Sequence, residues 1–326
     1  MIDSLRGCAR ALPLVLSMLA FGPPVNAQDA YPARPVRMVI PFAAGGGADV
    51  VGRLIASRLA DRLGQNVVAD NRTGAGGVIG TEIVARSVAD GYTLGFVPAS
   101  FTMQPSLRKL PYDPLKSFTP IARIGSGAFV LVVTRAVPAA TVKEFVGYAR
   151  QNPGKLFFGT AGAGSSAHMF LEMFKLMADI DIGVVHFKGG SQQVADMLGG
   201  HSHGTMISLP SVRPHIASGK LRALATTASK RTAFLPEVPT LDEAGVKGYE
   251  AIVWWGIFAP AGLNNGVVQR LDTELKHVLA LPEVAKALGT QGVEPDYQGP
   301  ATFKPFLVTE IASWASIIAK GKIKLE

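Results

Sequence analysis

An apolar, β-branched run, Val36-Arg37-Met38-Val39-Ile40, leads into the glycine-rich stretch Pro41-Phe42-Ala43-Ala44-Gly45-Gly46-Gly47-Ala48-Asp49. A segment with apolar residues at helical spacing follows over 50–59. The first run reads as a strand and the last as the start of a helix. A strand, a tight turn and a helix in that order call for a sheet with helices laid on its faces. The turn itself leaves two uses open. Its glycines can serve geometry alone. They can also bare backbone N–H groups at the positive end of a helix dipole, which suits an anion. Asp49 falls near the N-cap and, being an anion, is expected to cap its own helix instead of touching a ligand's charge.

The same unit recurs along the chain. A strand over 36–41 and a helix over 49–63 end at Gly64, in the C′ position. A strand over 66–69, a second glycine turn over 70–77, a helix over 78–88 and a strand over 92–97 follow. This βαβαβ order predicts a parallel, doubly wound sheet. Five prolines between 98 and 120 forbid long regular elements there. A second series begins with a strand over 129–134 and a helix opened by the capping box Thr141-Val142-Lys143-Glu144. Strands over 156–159, 184–187, 205–209 and 221–227 alternate with helices over 167–178, 191–198 and 212–217. A proline-punctuated loop over 230–246, with a short helix over 241–244, leads to an aromatic strand over 249–259. Terminal helices occupy 267–280, 282–290 and 300–319. The expected division is a lobe from 28–127 with 225–326 and a lobe from 128–224. Ligands of open α/β sheets bind at the carboxyl ends of strands, so two such lobes make a cleft.

Composition narrows the function. With 326 residues and 48% hydrophobic content a large core is available. Arg6 and Arg10, an apolar run over 11–22 and Val25-Asn26-Ala27 read as an export signal cleaved after Ala27. The product is expected to be a soluble periplasmic protein. Taking two arginines and one aspartate from the formal +8 leaves +7, scattered without basic runs, which argues against a nucleic-acid partner. Cys8 is the only cysteine and lies in the signal, so the mature chain is expected to have no disulfide, thiolate metal site or cysteine nucleophile. His201-Ser202-His203 has no third ligand nearby, and no metal site is expected. Gly162-Ala163-Gly164-Ser165-Ser166-Ala167 matches part of a dinucleotide fingerprint, but the next strand ends in Phe187-Lys188 instead of an acid, so no cofactor is expected. A nucleophile elbow fails at His168, where glycine is required. The simpler use of this second turn is an anion site made by Thr160, Ser165, Ser166 and free amides, with N-capping by Ser165 or Ser166 as the plainer role. Trp254-Trp255 reads as core or hinge packing.

An ordered set of short motifs spans almost all of 31–326. It includes Val39-Ile40-Pro41-Phe42 with Gly45-Gly46-Gly47 and Asp49, Asn71-Arg72-Thr73-Gly74-Ala75-Gly76-Gly77, and Asp90-Gly91-Tyr92-Thr93-Leu94. Leu110-Pro111-Tyr112-Asp113-Pro114, Gly162 to His168, Phe187-Lys188-Gly189, Pro236-Glu237-Val238-Pro239-Thr240 and Trp254-Trp255-Gly256 follow. In this order they resemble the solute receptors of tripartite tricarboxylate transporters, the TctC or Bug family. The resemblance implies an α/β periplasmic-binding-protein-like fold of type II, with two doubly wound lobes closing on a small carboxylate. It implies no catalysis and no cofactor, a monomer, and delivery to a membrane permease. Carried over by position, the first turn supplies Phe42, Ala43, Gly45, Gly46, Gly47, Ala48 and Asp49. A flanking loop supplies Ala99, Ser100 and Phe101. The facing turn supplies Thr160, Ala161, Gly164, Ser165, Ser166 and His168, and a last loop Ile207 and Ser208. Three departures bear on the ligand. Phe101 and Gln104 stand where the family usually has histidine and asparagine, and Ile207 stands where it often has an aspartate able to hold an ammonium group. The expected ligand is therefore an amine-free carboxylate, aromatic or dicarboxylic. The rival reading is an exported α/β hydrolase or dehydrogenase using the turn at Gly162 to Ala167.

Overall fold

A computed structural model describes residues 31–325. The expected signal and its cleavage point lie outside the described residues. β1 (Val36–Ile40) runs into α1 (Gly47–Leu63), followed by β2 (Val67–Asn71), α2 (Val78–Ala85) and β3 (Thr93–Pro98). A short α3 (Ser100–Met103) precedes the long β4 (Phe118–Thr134). Next come α4 (Val142–Gln151), β5 (Phe157–Thr160), α5 (Ser166–Ala178), β6 (Gly183–His186), α6 (Gly190–Leu198), β7 (Gly204–Ser208), α7 (Leu209–Ala217) and β8 (Leu221–Thr226). The chain ends with β9 (Ile252–Pro260), α8 (Asn265–Ala280), α9 (Pro282–Thr290), β10 (Glu294–Gln298) and α10 (Pro300–Gly321).

Local sequence explains the helix ends. Gly64 takes the left-handed conformation after α1, where a Cβ would be strained. Thr141 caps α4 by accepting from the Glu144 N–H, and Glu144 accepts in turn from the Ala140 N–H. α1 buries Val51, Ile55 and Leu59 at helical spacing, in one core with Met38 and Ile40 of β1 and Phe96 of β3. Each such buried side chain contributes about 1.5–3 kcal/mol of transfer free energy.

The sheet order is β2-β1-β3-β9-β4-β7-β5-β6, with β8 and β10 also paired to β4. β1 is parallel to β2 and β3, and β5 is parallel to β6 and β7, as the βα alternation predicts. The middle is not parallel. β9 runs antiparallel between β3 and β4, and β4 is antiparallel to β7, β8 and β10. β9 returns from far along the chain without a crossover helix, so the rule for βαβ units does not bind it.

β4 corrects a second expectation. It begins at Phe118 and contains Pro120, where only loop was expected. The pairing with β9 shifts register between Pro120 and Ala122 and again between Arg123 and Gly125. Such irregularities accommodate a proline that cannot donate to the ladder. Residues 118–128 of β4 pair with β9, and 129–134 pair with β7 and β8, so one strand serves both halves of the sheet. The edge strand β10, polar and carrying Pro295, was not anticipated. The short helix expected over 241–244 is a set of turns instead, with the Ala244 N–H on the Thr240 carbonyl.

β9 alternates faces. Trp254 lies edge-on to Phe303 and Phe306 of α10, at 5.6 Å from each, and its indole N–H donates to Glu310 at 3.2 Å. Val253 and Trp255 point the other way, as the two-residue period of a strand demands.

Candidate functional site

Val253 and Trp255 help to floor a cavity with an empty volume of about 510 Å³, its open mouth included. Pro98, at the end of β3, pairs with Trp255 and lines it too, as does Phe129 of β4. The walls come from Phe42, Gly46, Gly47 and Ala48 on one side and Ala161, Ser165, Ser166, Ala167, Gly190, Gln193, Ile207 and Ser208 on the other.

Four helices begin at these walls. Gly47 opens α1, Ser166 opens α5, Gly190 opens α6, and Ser208 is the N-cap of α7. First-turn amides have no carbonyl four residues back to bond, and the dipoles add positive potential. Ser165 spends its hydroxyl oxygen as a cap, accepting from the His168 N–H at 3.3 Å. Ser166 and Gln193, 5% and 1% exposed, each keep a buried polar atom without a protein partner, Oγ and Nε2 respectively. Among the described residues, no lysine, arginine, histidine, aspartate or glutamate lines the cavity.

Gly47 lies close against Ser208: a Cβ there would overlap Ser208 Oγ, which would have to rotate aside. The two halves of the sheet meet at further points. The Gln104 amide donates to the Gly76 carbonyl at 3.2 Å and the Gly164 carbonyl at 2.9 Å. The Arg108 guanidinium donates to the Ala163 carbonyl at 3.0 Å, and the Ser191 hydroxyl to the Ala44 carbonyl at 3.2 Å.

Asp49 lies outside the cavity lining. It is the third residue of α1, and Gly46 holds the N-cap without a side-chain cap. The carboxylate accepts from the Gly45 N–H at 2.9 Å, Arg53 at 2.8 Å and Asn71 at 2.9 Å. Burial pushes its pKa up, but Arg53, the Gly45 amide and Asn71 outweigh that and hold it below the usual range. Asn71 also donates to the Phe42 carbonyl at 2.9 Å, so the turn is tied to β2. Asp49→Ala is expected to cost about 1–3 kcal/mol, because the turn loses three hydrogen bonds to a buried charged acceptor. Urea denaturation measures it, and an unchanged midpoint would refute this role.

His168 is buried on the far side of the turn. Its Nδ1 accepts from the Gly164 N–H at 3.0 Å, and its ring is edge-on to His186 at 4.8 Å. Burial, then His186, Lys175 and Arg108, lower its pKa to about 4, so the ring is neutral at neutral pH. The unfolded chain binds this proton near pH 6.5 and the folded chain only near 4. The neutral ring therefore adds stability that is full above about pH 6.5 and lost as pH falls toward 4, at most about 3 kcal/mol. Comparing urea midpoints at about pH 7.5 and about pH 5 should show a larger fall for the natural chain than for His168→Asn. Equal falls would contradict it.

Of the expected site residues, Phe42, Gly46, Gly47, Ala48, Ala161, Ser165, Ser166, Ile207 and Ser208 line this cavity. Ala43, Gly45, Asp49, Thr160, Gly164 and His168 are not among its lining residues, and Thr160 is bonded to His186 at 2.6 Å. Ala99 is fully buried, and Ser100 and Phe101 wall a separate recess of about 180 Å³ with Gln104 and Tyr112. Phe101 packs on Phe258 at 4.7 Å and Phe118 at 5.4 Å, so it fills core and is not among the residues lining the cavity. Pro98, Phe129, Ala167, Gly190, Gln193, Val253 and Trp255 were missed. The motif Phe187-Lys188-Gly189 before a helix was the available signal for Gly190.

A mixed α/β fold with a cavity at converging helix N-termini defines the class: the architecture is that of periplasmic binding proteins. The chain matches the structure of periplasmic binding protein BugD at 34% identity and a TM-score of 0.87, covering 91% of this chain and all of that one. Over residues 51–323 it matches the model of the tripartite tricarboxylate transporter family receptor, TctC, and it belongs to that family of solute-binding receptors, which are not enzymes. Protein BugT of Bordetella pertussis is 36% identical over 306 residues, 93% of this chain and 94% of that protein. Two solved relatives hold ligands. Rpa4515 of R. palustris, with adipate, is 36% identical with a TM-score of 0.87, covering 90% of this chain and 99% of that one. MatC of Rhodopseudomonas palustris, with bound malate, is 29% identical with a TM-score of 0.83, covering 88% and 100%.

Proposed function

We propose that this receptor captures a small, amine-free carboxylate in the periplasm and hands it to a tripartite permease in the membrane. The carrying observation is the convergence of four helix N-termini and two buried polar groups, partnerless among the described residues, on a cavity that no described charged side chain lines. Fixed N–H dipoles stabilise a buried anion without a competing counter-ion. Adipate and malate in the relatives agree with a carboxylate. The mature chain begins after Ala27 and acts as a monomer. Residues 28–127 with 225–326 form one lobe and 128–224 the other, and they hinge where β4 runs from its pairing with β9 to its pairing with β7 and β8. Ligand bridging both walls favours the closed form by its higher affinity for it.

Thermal shift and calorimetric titration with a panel of carboxylates test this. A carboxylate present at a hundred times its Kd should stabilise the fold by about 2.7 kcal/mol, and should be recovered unchanged. Turnover would favour the hydrolase or dehydrogenase reading, and no binding by any carboxylate would overturn the receptor for this ligand class. Permease transfer is tested by uptake in cells lacking the receptor gene.

A further inference from the structure

Resting on the carboxylate-receptor reading, we infer that Gln193 is the residue that sets this receptor's selectivity: its side-chain amide donates directly to an oxygen of the bound ligand and turns away an ammonium group. Gln193 is the fourth residue of α6 and lines the cavity, yet only 1% of it is exposed. Its Nε2 has no partner among the described residues. The carbonyl end is hardly better served. The Thr205 hydroxyl lies 3.5 Å from Oε1, but its single hydrogen serves the Gly159 carbonyl at 2.7 Å. The backbone N–H of Gln193 is spent at the helix start, on the Gly189 carbonyl. A whole carboxamide is thus held in the wall with its donor end unspent. Leaving a buried donor bare costs its full desolvation, so such a group calls for a partner that arrives from outside the chain.

Packing does not need the amide. α6 is pinned to the core by Val194 and Met197, three residues apart on one face. The stem of Gln193 lies against β5, where Gly159 makes room: a Cβ on that glycine would come within 3.5 Å of Gln193 Cβ and Cγ. A methionine would fill the same space with no donor to leave bare. The hydroxyls of Ser202, Ser211 and Thr226 are also buried and partnerless among the described residues, but none of them lines this cavity, whereas Ser166 does. The two lining groups differ in kind. A hydroxyl can donate or accept, and an amide N–H2 only donates. Around Gln193 the lining is Gly190, which opens the same helix, and Ile207, on the same face of β7 as Thr205. Neither offers a side-chain acceptor. An ammonium placed here meets a donor and hydrocarbon. A ligand oxygen meets a donor with no other partner, and a charged oxygen makes the stronger bond.

The test is calorimetric titration of the whole mature protein and of Gln193→Met and Gln193→Glu with adipate, malate, citrate, benzoate and aspartate, beside urea denaturation without ligand. Gln193→Met is expected to weaken the tightest binder among these acids, or failing them of a wider carboxylate panel, by about tenfold or more, as loss of a hydrogen bond to a charged group does. Its urea midpoint should be unchanged or higher, because a bare amide has been removed. A packing role predicts the opposite pair, a lower midpoint and an unchanged affinity. Gln193→Glu should shift the ratio of aspartate to malate affinity by at least about tenfold toward aspartate, since a carboxylate accepts from an ammonium and repels an acid. The inference is overturned, and the receptor reading left intact, by a methionine variant that binds as the natural chain does, by an unchanged aspartate-to-malate ratio, or by tighter binding of aspartate than of malate to the natural chain. Failure of Gln193→Met to fold overturns it too, because the amide would then be needed for packing. Absence of binding by every carboxylate removes both readings. If Gln193→Glu does not fold, the methionine variant decides alone.

Discussion

Gly76→Ala is expected to give a folded protein that binds its carboxylate about ten- to a hundredfold more weakly. Gly76 has a φ of 64°, in the left-handed region, where an alanine costs about 1–2 kcal/mol. That cost applies whether the halves are apart or together. A second cost falls only on the closed form. A Cβ here would overlap the Ala163 carbonyl oxygen and crowd the Gln104 amide, both at the seam between the halves. A backbone carbonyl cannot rotate aside as a side chain can, and overpacking costs about 1–3 kcal/mol. Under the proposed hinge motion, the closed form that would hold the ligand is thus penalised selectively. Calorimetric titration gives the affinity, urea denaturation the shared cost, and small-angle scattering with and without ligand the degree of closure. Affinity equal to that of the natural chain would show that binding does not need this seam shut.

Trp255→Ala is expected to act on stability and affinity together. The side chain is 3% exposed and both packs in the sheet core and faces the cavity. Removing a buried tryptophan costs about 3–5 kcal/mol, and this one belongs at the lower end, because it borders space that is already empty. The ligand loses its largest floor contact, so affinity should fall by about tenfold or more. The fluorescence response to ligand should vanish, since Trp254 is packed on α10 and Trp314 on Phe170, both away from the cavity lining. A ligand-dependent signal that survives in Trp255→Ala would place the ligand elsewhere.

Much of this arrangement was legible in the residues. Strand–turn–helix units gave β1 to α1 and β5 to α5 within a few positions, because short-range periodicity and caps decide those elements. The two glycine turns, far apart in sequence, do wall one cavity through Gly46, Gly47 and Ala48 and through Ala161, Ser165 and Ser166. What escaped was decided at long range. Pro120 reads as a strand breaker, and only the register shift against β9 shows how it is tolerated. The Trp254-Trp255 pair reads as alternating faces, but which face meets a cavity depends on where β9 inserts in the sheet. Asp49 could be read as a helix-terminal acid, yet its ties to Asn71 and Arg53 come from folding. Phe101 showed the reverse error: a position near a site was taken for a position in it, and tertiary packing turned its ring into the core.

The place of β9 between β3 and β4 has a consequence for the order in which the chain can be completed. As the polypeptide is synthesised, β1, β2 and β3 can associate early, and so can the parallel set of β5, β6 and β7. Neither set can join the other through β4 until residues 252–260 arrive, because the slot beside β3 belongs to β9. An incomplete chain thus presents an open sheet edge for the time needed to make more than a hundred further residues. Contacts of such long sequence separation slow folding and expose edges to unwanted pairing. A protein built this way gains from a route that keeps it unfolded until its last third is available, which is the state in which a translocating chain reaches the far side of a membrane.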